Sequence, residues 1–382
     1  MANRDPGQVR LSDDGTTLGR GLAYDPVMPG RSKWLDPARI AHGLRWRFDG
    51  LRARLGPPVP TKAPVAQGSS FQTTVLASYE VEDIVDLDPT RRMWAEFTLT
   101  SAERGWRAIE LLGGPRGFRN KRVLDVGSAY GGFLVAAAHA GADDLVGIDV
   151  DPKLLDLARL LLADHEVKAR LEIADITDAT LPDRLGTFDI VFCNDVLEHV
   201  QDLDASADHL ARLLKPKGRL FLEIPNGMAL SYIESDGHYK LPGITLLDHA
   251  EAEQWFQAFY GDQYPYNTYF YAPVDYYLAL FSRNLIPLRL LNTPSGDQES
   301  VNVLATKWGE TQRRLLQLRD EFPDKPQELI VAIGKRAEEV GIRFGRLLAT
   351  ATESSTPEER SLAATVLRTT FGLESFLLEG QK

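Results

Sequence analysis

The sequence predicts an α/β fold built on a mostly parallel, doubly wound sheet, and three observations support this class. Segments typical of strands and of helices alternate from residue 121 to residue 226. The segment FDIVFCND at 188–195 is apolar on both faces, as central parallel strands are. The first strand runs into a short loop that contains glycines, VLDVGSAYGGF at 123–133. Folds of this class bind ligands at the carboxyl ends of their strands, so we expect binding residues in the loops there.

Five strands and the helices between them can be assigned before residue 227. In chain order the strands are KRVLDVGS, DLVGIDV, RLEIAD, FDIVFCND and RLFLEIPN. The helices are GGFLVAAAHAG, which stops at Gly141, then DPKLLDLARLLLADHE, which Asp151 or its neighbour caps, and SADHLARLLKPKG. This alternation predicts that the five strands run parallel.

After residue 226 the alternation stops, and additions to the sheet are expected. Residues 227–270 are rich in His, Tyr, Asp and Gly, with one short helix near DHAEAEQWFQAFYG. The helix APVDYYLALFSRN then leads to a sixth strand, LIPLRLLN, and residues 300–368 are predicted to be helical, with a cap-like Thr356 before Pro357. The final segment, ESFLLEGQK, is predicted to be the last strand of the same sheet.

These assignments divide the chain into four parts. The parts are an N-terminal extension (1–98), a core (99–299) with an insert at 227–270, a helical insert (300–368) and a terminal strand (369–382). The extension contains a basic amphipathic helix at 36–55 and a proline-rich linker at 56–70. The helical insert is expected to form a lid or the contact of a homodimer.

Composition and charge exclude several classes of function. The 382 residues carry a formal net charge of −11, and a negative charge disfavours binding to phosphate backbones. No nucleic acid is therefore expected as a partner. The chain starts without an apolar signal segment, and no run reaches about 18 apolar residues, so we expect no transmembrane segment and a cytoplasmic location. The single cysteine, Cys193, excludes cysteine-clustered metal sites within one chain and is expected to be a packing residue.

The loop after the first strand is expected to hold a nucleotide-like cofactor. Glycines are needed there because a side chain would keep the ligand away from the backbone. An acid at the end of the second strand, about 20 residues later, accepts hydrogen bonds from ribose hydroxyls, and Asp149 occupies that place. These two features alone allow both a dinucleotide and S-adenosylmethionine.

Three further features favour S-adenosylmethionine. The loop reads Asp-x-Gly-x-x-x-Gly-Gly, so the tight pyrophosphate turn of Gly-x-Gly-x-x-Gly is missing. Asp125 would repel a phosphate but suits an ammonium group. Asp175 closes the third strand, where an adenine amino group needs an acceptor, and the strand-four motif FDIVFCNDVLEHV follows. An NAD-dependent oxidoreductase is therefore the weaker alternative.

The motifs of the chain resemble those of the class I S-adenosylmethionine-dependent methyltransferases, nearest to the branch of the ubiquinone-biosynthesis O-methyltransferases. They are, in order, VLDVGSAYGG, VGIDVDP, IADITD, FDIVFCNDVLEHV and LLKPKGRLFLEIPN. The resemblance covers about residues 105–292 and the terminal strand. It implies a Rossmann-like sheet of seven strands, mostly parallel with the last strand antiparallel, and an acceptor site built by the insert after strand five.

The resemblance also implies which residues bind the cofactor. The methionine end would be lined by residues of the first loop, and the ribose would contact the end of strand two. The adenine would lie at the end of strand three, and the edge of the pocket would be at strand four. These residues are Asp125, Gly127, Ser128, Ala129 and Gly131 in the first loop, Asp149 and Val150 at strand two, Asp175 and Ile176 at strand three, and Asn194 at strand four.

The residues after strand four also limit the class of molecule that is expected to accept the methyl group. Methyl transfer from a sulfonium is a displacement, and a hydroxyl acceptor additionally needs a place for its proton. Methyltransferases of amides and nucleobase amines usually carry an Asn/Asp-Pro-Pro-aromatic turn after strand four, whereas this chain has Asn-Asp-Val-Leu at 194–197. We therefore expect O-methylation of a small molecule or a glycan. The alternatives are N- or C-methylation of a secondary metabolite and a non-catalytic interaction protein.

The segment DVLEHV raises the question of a metal. Asp195, Glu198 and His199 share one face if a helix has started there, and small-RNA 2′-O-methyltransferases use a similar Glu-x-x-Glu-His with later histidines. Leu-Glu-His is nevertheless widespread in metal-free members of the branch, and the first position here is Asp. We therefore expect no metal and an activity that survives chelation, with His199 as a base, an orienting residue or a packing residue.

The stretch ESDGHYKLPGITLLDH at 234–249 is the main candidate for acceptor chemistry. Asp236, His238 and Tyr239 offer an orienting acid, a base and an aromatic wall. Similar segments recur in bacterial methyltransferases associated with glycans and secondary metabolites. The alternative is a buried loop whose polar groups satisfy each other, and the aromatic cluster at 260–271 suits a sugar or ring or packs as a lid. We predict that His238 is the general base.

Overall fold

The computed structural model describes residues 68–294 and 298–382. The helix predicted at 36–55 and nearly all of the linker predicted at 56–70 lie outside these ranges. Within them the chain forms a seven-stranded sheet flanked by helices, which confirms the predicted α/β class. None of the described helices combines the length and the apolar character that crossing a bilayer requires.

The sheet places the carboxyl ends of its parallel strands along one edge. Its strands are β1 (Arg122–Val126), β2 (Asp144–Asp149), β3 (Arg170–Ile173), β4 (Phe188–Asn194), β5 (Leu214–Pro225), β6 (Leu288–Leu290) and β7 (Ser375–Gln381). Their order is β3-β2-β1-β4-β5-β7-β6. The first five run parallel, and β7 is antiparallel to both β5 and β6. The strand order reverses at β1, which is the point where folds of this kind open a ligand-binding crevice.

Alternate residues of the strands belong to two apolar cores, one on each face of the sheet. In β4, Ile190 and Phe192 belong to one core, and Val191 and Cys193 belong to the other. Burial raises the pKa of the Cys193 thiol well above its usual range, so this cysteine is an unreactive packing residue, as predicted.

The helices predicted in the core and in the block at 300–368 are present, but four others, Ser70–Ser78, Pro89–Leu99, Leu181–Leu185 and Leu230–Glu234, were not predicted. The expectation of one short helix in 227–270 is wrong, because Leu230–Glu234 is a second one. In chain order the helices are α1 (Ser70–Ser78), α2 (Pro89–Leu99), α3 (Ser101–Leu111), α4 (Gly132–His139), α5 (Pro152–Asp164), α6 (Leu181–Leu185), α7 (Leu203–Leu213), α8 (Leu230–Glu234), α9 (His249–Tyr260), α10 (Val274–Arg283), α11 (Gln298–Leu316), α12 (Leu318–Glu321), α13 (Gln327–Glu353) and α14 (Pro357–Phe371). Asp151 caps α5, and α14 begins at Pro357, as predicted. The helix predicted to reach residue 218 ends at Leu213, because Pro216 disfavours helical conformation at the residue before it.

Helices α1 to α3 pack against α4 and α5, beside the first strand. Phe71 is fully buried, and its backbone N–H donates to Asp164 at the end of α5 (2.8 Å). A Cβ on Gly105 of α3 would lie 2.7 Å from the Cα of Phe133, and one on Gly132 would lie 2.3 Å from the backbone of Ser101. The close crossing of α3 and α4 therefore places α3 against the helix that follows the β1 loop.

The helical block α11–α14 packs on the insert that follows β5. One apolar cluster joins Trp255 and Tyr266 of the insert to Trp308, Ile333 and Phe371 of the block. Between the two parts, the Glu234 carboxylate accepts hydrogen bonds from Lys307 Nζ (2.6 Å) and Thr311 Oγ1 (2.9 Å). The prediction that residues 300–368 are helical is confirmed, and this block packs against the insert at 227–270.

Candidate active site

The loop between β1 and α4 is shaped by backbone conformations that favour glycine. Gly127 has φ +68° and Gly131 has φ +75°. A Cβ on Gly127 would lie 2.3 Å from Val196 Cγ2, so any side chain there collides with the segment after β4. Between these glycines, Ala129 also has a positive φ of +40°. The loop therefore brings backbone N–H groups close to the carboxyl edge of the sheet.

Four polar side chains around this loop contain buried atoms that have no hydrogen-bond partner. They are Asp125 (Oδ2), Ser128 (Oγ), Asn194 (Oδ1 and Nδ2) and Arg104 (Nε). Buried polar atoms in folded proteins are nearly always paired, so four such side chains around one loop are candidates for contact with a polar ligand. Arg104 was not among the residues predicted from the sequence. A basic residue on the helix before β1 is the only signal that could have indicated it, and surface arginines give the same signal.

Asp149 ends β2 and reaches across to this loop. Its Oδ2 accepts from the backbone N–H of Ala129 (2.9 Å), and its Oδ1 accepts from that of Asp151 (2.9 Å). A carboxylate has about four acceptor positions, so two remain for a ligand. The next residue, Val150, is 57% exposed and can cover an apolar ring. The structure therefore places Asp149 and Val150 where the sequence predicted them.

The two residues predicted at the end of β3 lie in different surroundings. Asp175 is exposed, and its Oδ1 accepts hydrogen bonds from the N–H and hydroxyl of Thr177 (both 2.8 Å). Ile176 is buried in the apolar core, and its carbonyl contacts His209 Nδ1 (2.6 Å). Ile176 therefore belongs to the core through its side chain and to the contact with His209 through its carbonyl.

The segment after β4 turns sharply before its catalytic candidates. Asp195 has φ +52°, and only a short 3₁₀ turn, Leu197–His199, follows before α7 begins at Leu203. The condition for Asp195, Glu198 and His199 to share one helical face is therefore not met, because the α-helix in this segment begins only at Leu203.

Glu198, His199 and His238 converge on one point. The Glu198 side chain is fully buried, and neither of its oxygens has a hydrogen-bond partner. Its Oε1 lies 3.7 Å from His199 Nε2 and 3.6 Å from His238 Nε2. The two imidazole rings meet edge to face, with centroids 4.9 Å apart. The structure thus brings together both predicted histidines and a glutamate that was not among the predicted site residues.

A segment at 267–271 holds this cluster in place. The Asn267 carbonyl contacts His199 Nδ1 (2.9 Å), and the Tyr271 hydroxyl contacts His238 Nδ1 (2.9 Å). The backbone N–H of Tyr269 donates to the carbonyl of Glu198 (2.7 Å). Burial lowers the pKa of His199, so this ring is neutral near pH 7. Both imidazoles therefore have their Nδ1 atoms engaged and their Nε2 atoms directed at Glu198.

Asp236 does not hold the His238 ring, contrary to the sequence prediction. Its buried carboxylate accepts hydrogen bonds from the backbone N–H groups of His238 (2.8 Å), Tyr239 (2.9 Å) and Leu241 (2.9 Å). These bonds fix the loop that carries His238, and the ring itself is held by Tyr271. The Tyr239 ring packs against Phe256, and burial raises the pKa of its phenol to about 12, so it forms an uncharged wall.

Comparisons with known proteins show similarity to methyltransferases over this part of the chain. Residues 101–273 match the family described as "Methyltransferase domain". A ubiquinone biosynthesis O-methyltransferase from Xanthomonas oryzae pv. oryzae is 39% identical over 105 residues, which are 28% of this chain and 43% of the relative. Another, from Thiobacillus denitrificans, is 40% identical over 116 residues, which are 30% of this chain and 48% of the relative. The chain thus spans less than half the length of these relatives.

Residues 101–273 are therefore similar to a methyltransferase domain. Solved structures similar to the chain include an O-methyltransferase family protein from Burkholderia thailandensis, which is 17% identical with a TM-score of 0.38 and covers 66% of this chain and 68% of that one. A likeness of that size adds nothing to the fold assignment, which rests on the strand order.

The residues of the methyltransferase domain fit S-adenosylmethionine. The unpartnered Asp125 carboxylate suits the ammonium group, and Arg104 suits the carboxylate of the same methionine moiety. Asp149 has acceptor capacity left for ribose hydroxyls, and Val150 can cover the adenine. When bound, the cofactor supplies an electrophilic methyl group on its sulfonium. The protein's part is to orient it and to keep its charged ends paired.

Cofactor binding is expected to depend on Asp149. Hydrogen bonds to a charged acceptor contribute roughly 1.5–3 kcal/mol, so Asp149→Ala should weaken S-adenosylhomocysteine binding about tenfold to a hundredfold in a calorimetric titration. Asp156→Ala is the matched control, because Asp156 lies on the outer face of α5 with its side chain 74% exposed. Equal affinity of Asp149→Ala and the control would contradict the ribose assignment.

Cofactor affinity is also expected to rise with pH. Burial, and then the neighbouring Asp149, raises the pKa of Asp125 well above its ordinary range. A bound ammonium stabilises the carboxylate and lowers this pKa, so binding releases a proton, and affinity falls as pH drops below the raised value. Calorimetry between about pH 5 and 7, where an α-amine stays charged, should show this release in buffers of different ionisation enthalpy. Asp125→Asn should abolish this proton release. A pH-independent affinity of the wild-type chain would contradict the pairing of Asp125 with the ammonium group.

Proposed function

We propose that the protein is an S-adenosylmethionine-dependent O-methyltransferase that acts on a hydroxyl of a small molecule or a saccharide. The observation that carries this proposal is the cluster of Glu198, His199 and His238 beside the cofactor loop. The curated relatives named as O-methyltransferases support the same reaction type over the part of the chain that they match.

The acceptor cluster and the cofactor loop are neighbours in the structure. Val126 at the end of β1 pairs with Cys193 near the end of β4. Val196 packs directly against Gly127 of the loop, and Glu198 follows two residues later. The cluster therefore opens on the same edge of the sheet as the predicted methionine end of the cofactor, where the sulfonium would lie.

The cluster suits the activation of a hydroxyl. In the transfer, a C–O bond forms as the C–S bond breaks, and the hydroxyl proton has to leave the acceptor oxygen. Two imidazoles and a carboxylate are groups that can promote this loss. We keep the hypothesis that His238 takes the proton as general base, with His199 in a supporting role.

The surroundings of the cluster suit a ring-shaped acceptor. Tyr239 packs with Phe256 and Tyr266, and burial raises the pKa of each tyrosine so that both phenols stay neutral. Aromatic faces of this kind stack on sugars and planar rings. No observation favours N- or C-methylation over this reaction.

Two further features of the protein are proposals. The helical block is proposed as a homodimer contact because Val331, Ile342 and Leu362 expose 54%, 58% and 67% of their surfaces. A cytoplasmic location is proposed from the composition of the chain.

The experiment that tests the proposed function is transfer of a labelled methyl group. The purified full-length chain would be incubated with S-adenosylmethionine labelled in the methyl group and with panels of phenols, catechols, free sugars and their amine analogues. We expect label in hydroxyl compounds and stoichiometric S-adenosylhomocysteine. Label confined to amines or carbon acids would contradict O-methylation.

A further inference from the structure

We propose that Glu198, His199 and His238 form a binding site for a divalent transition-metal cation on the acceptor side of the cofactor loop. The proposal rests on the positions of three side chains that come from two separate parts of the chain. The metal site deepens the proposed function. The role of the cation in methyl transfer rests on that function, whereas binding of the cation can be tested without any methyl transfer.

The distances between the three side chains suit a common ligand. Each side chain offers one atom, and these three atoms lie within 4.8 Å of one another. The distances from Glu198 Oε1 to the two Nε2 atoms are 3.6 and 3.7 Å, too long for hydrogen bonds. Ligands about 2.1 Å from a shared tetrahedral cation lie roughly 3.4 Å apart, and both distances from Glu198 exceed this by only a few tenths of an ångström.

The hydrogen bonds around the cluster leave the Nε2 atoms of both histidines available to bind a cation. His199 Nδ1 lies 2.9 Å from a carbonyl oxygen, which can only accept, so Nδ1 carries the proton and Nε2 has a free lone pair. His238 Nδ1 lies 2.9 Å from the Tyr271 hydroxyl, an arrangement that also allows Nδ1 to donate. Metal-binding histidines generally donate their second N–H to a carbonyl or another oxygen, and these partners orient the ring.

No hydrogen bond compensates the burial of the Glu198 carboxylate, and its nearest charge partners are the two imidazoles at 3.6 and 3.7 Å. A fully buried carboxylate without a hydrogen bond carries a large desolvation cost, and such groups in folded proteins are paired or bind metals. Neither imidazole is within hydrogen-bond distance of it. A cation between the three atoms would satisfy both the carboxylate and the two lone pairs.

This inference reverses the expectation drawn from the sequence. That expectation considered Asp195, Glu198 and His199 on one helical face, whereas the structure leaves Asp195 out of the group and adds His238 from the insert after β5. It also gives His238 a competing role, because this residue is the general base under the proposed function and a ligand of the cation here. A general base needs its lone pair directed at the acceptor, and His238 Nε2 is directed at Glu198.

The donor set predicts which cation binds. Two imidazoles and one carboxylate suit Zn²⁺, Co²⁺, Ni²⁺ and related ions, whereas Mg²⁺ prefers oxygen ligands and water. Three protein ligands leave at least one position open for an oxygen of the acceptor. The site therefore favours an acceptor hydroxyl, and a neighbouring oxygen, as in a vicinal diol or catechol, would add a second contact.

The test is titration of the metal-free, untagged full-length chain with Co²⁺ and Zn²⁺ alone, followed by calorimetry and by Co²⁺ absorption. We expect the wild-type chain to bind one Co²⁺ or Zn²⁺ ion. The affinity for these ions should fall at least a hundredfold in Glu198→Gln and in His238→Ala. Binding of Mg²⁺ to the wild-type chain should be at least a hundredfold weaker than that of Zn²⁺. His139→Ala is the control for loss of a histidine, because His139 is exposed on α4, away from the cluster. Circular dichroism and S-adenosylhomocysteine affinity would verify that each variant is folded.

Two results would overturn the site. One is the absence of saturable binding to the folded wild-type chain. The other is binding that persists in both Glu198→Gln and His238→Ala at wild-type affinity. Failure of methyl transfer with metal binding intact would instead remove the proposed O-methyltransferase function and leave the metal site standing, so the two failures are distinguishable.

Discussion

Removal of residues 375–382 is expected to leave no stably folded protein. The strand β7 lies between β5 and β6 and pairs with β5 from Ser375 to Gln381. Phe376 and Leu378 lie in one core and Leu377 in the other, so the deletion opens both faces of the sheet. Each buried side chain of this size contributes about 1.5–3 kcal/mol, and the unpaired backbone groups add to the loss. The total is comparable to the whole stability of a typical domain, about 5–15 kcal/mol.

The truncated chain should therefore appear in the insoluble fraction, or show neither a cooperative melting transition nor cofactor binding. Leu378→Ala is the graded comparison. It keeps the strand and removes one fully buried side chain, so we expect it to fold with a loss of about 2–5 kcal/mol in denaturant titrations. A truncated chain that binds S-adenosylhomocysteine normally would show that the terminal strand is peripheral.

Substitution of His238 is expected to lower turnover by about 10²–10⁴-fold with little change in cofactor affinity. Loss of a group that activates the acceptor hydroxyl removes an effect of that size. His238 lies in the insert after β5 and contacts Glu198 and Tyr271, and none of the residues predicted to bind the cofactor is among these contacts. The measurement is kcat for His238→Ala with the best acceptor of the methyl-transfer screen, alongside calorimetry with S-adenosylhomocysteine.

Companion variants separate the two possible roles of His238. A cation site loses its function when any ligand is removed, so Glu198→Gln and His199→Ala should then fall to a similar turnover. A general base supported by its neighbours predicts a smaller loss for His199→Ala than for His238→Ala. Turnover of His238→Ala within about threefold of wild type would contradict both roles.

The fold could be predicted from the sequence because its elements are specified locally. The apolar residues of β4 and the glycines at 127 and 131 act over a few neighbouring positions, and each predicts a strand or a tight turn by itself. The positions of Asp125 and Asp149 could be predicted for the same reason, since Asp125 lies one residue before the end of β1 and Asp149 ends β2. The predicted end of α7 was too late, because Pro216, three residues beyond the last helical residue, was included in the helix.

The acceptor cluster could be predicted only in part, because it depends on contacts between distant segments. Glu198 and His238 lie far apart along the chain, and their approach requires the turn at Asp195. No residue pattern in the sequence predicts the positive φ of Asp195. The partners Asn267 and Tyr271 come from a segment whose aromatic composition suggested only packing or a ring-binding surface. Asp236 was misassigned because proximity in sequence to His238 does not reveal that its carboxylate is occupied by backbone N–H groups.

The most direct test of the account is a calorimetric titration of the full-length chain with S-adenosylhomocysteine, with NAD as the comparison ligand. We predict saturable binding of one S-adenosylhomocysteine per chain and no heat from NAD. Gly127→Val should bind neither, because its Cβ would lie 2.3 Å from Val196 Cγ2 and a β-branched residue does not tolerate φ +68°. Binding of NAD in place of S-adenosylhomocysteine, or equal S-adenosylhomocysteine affinity in a folded Gly127→Val variant, would contradict the account.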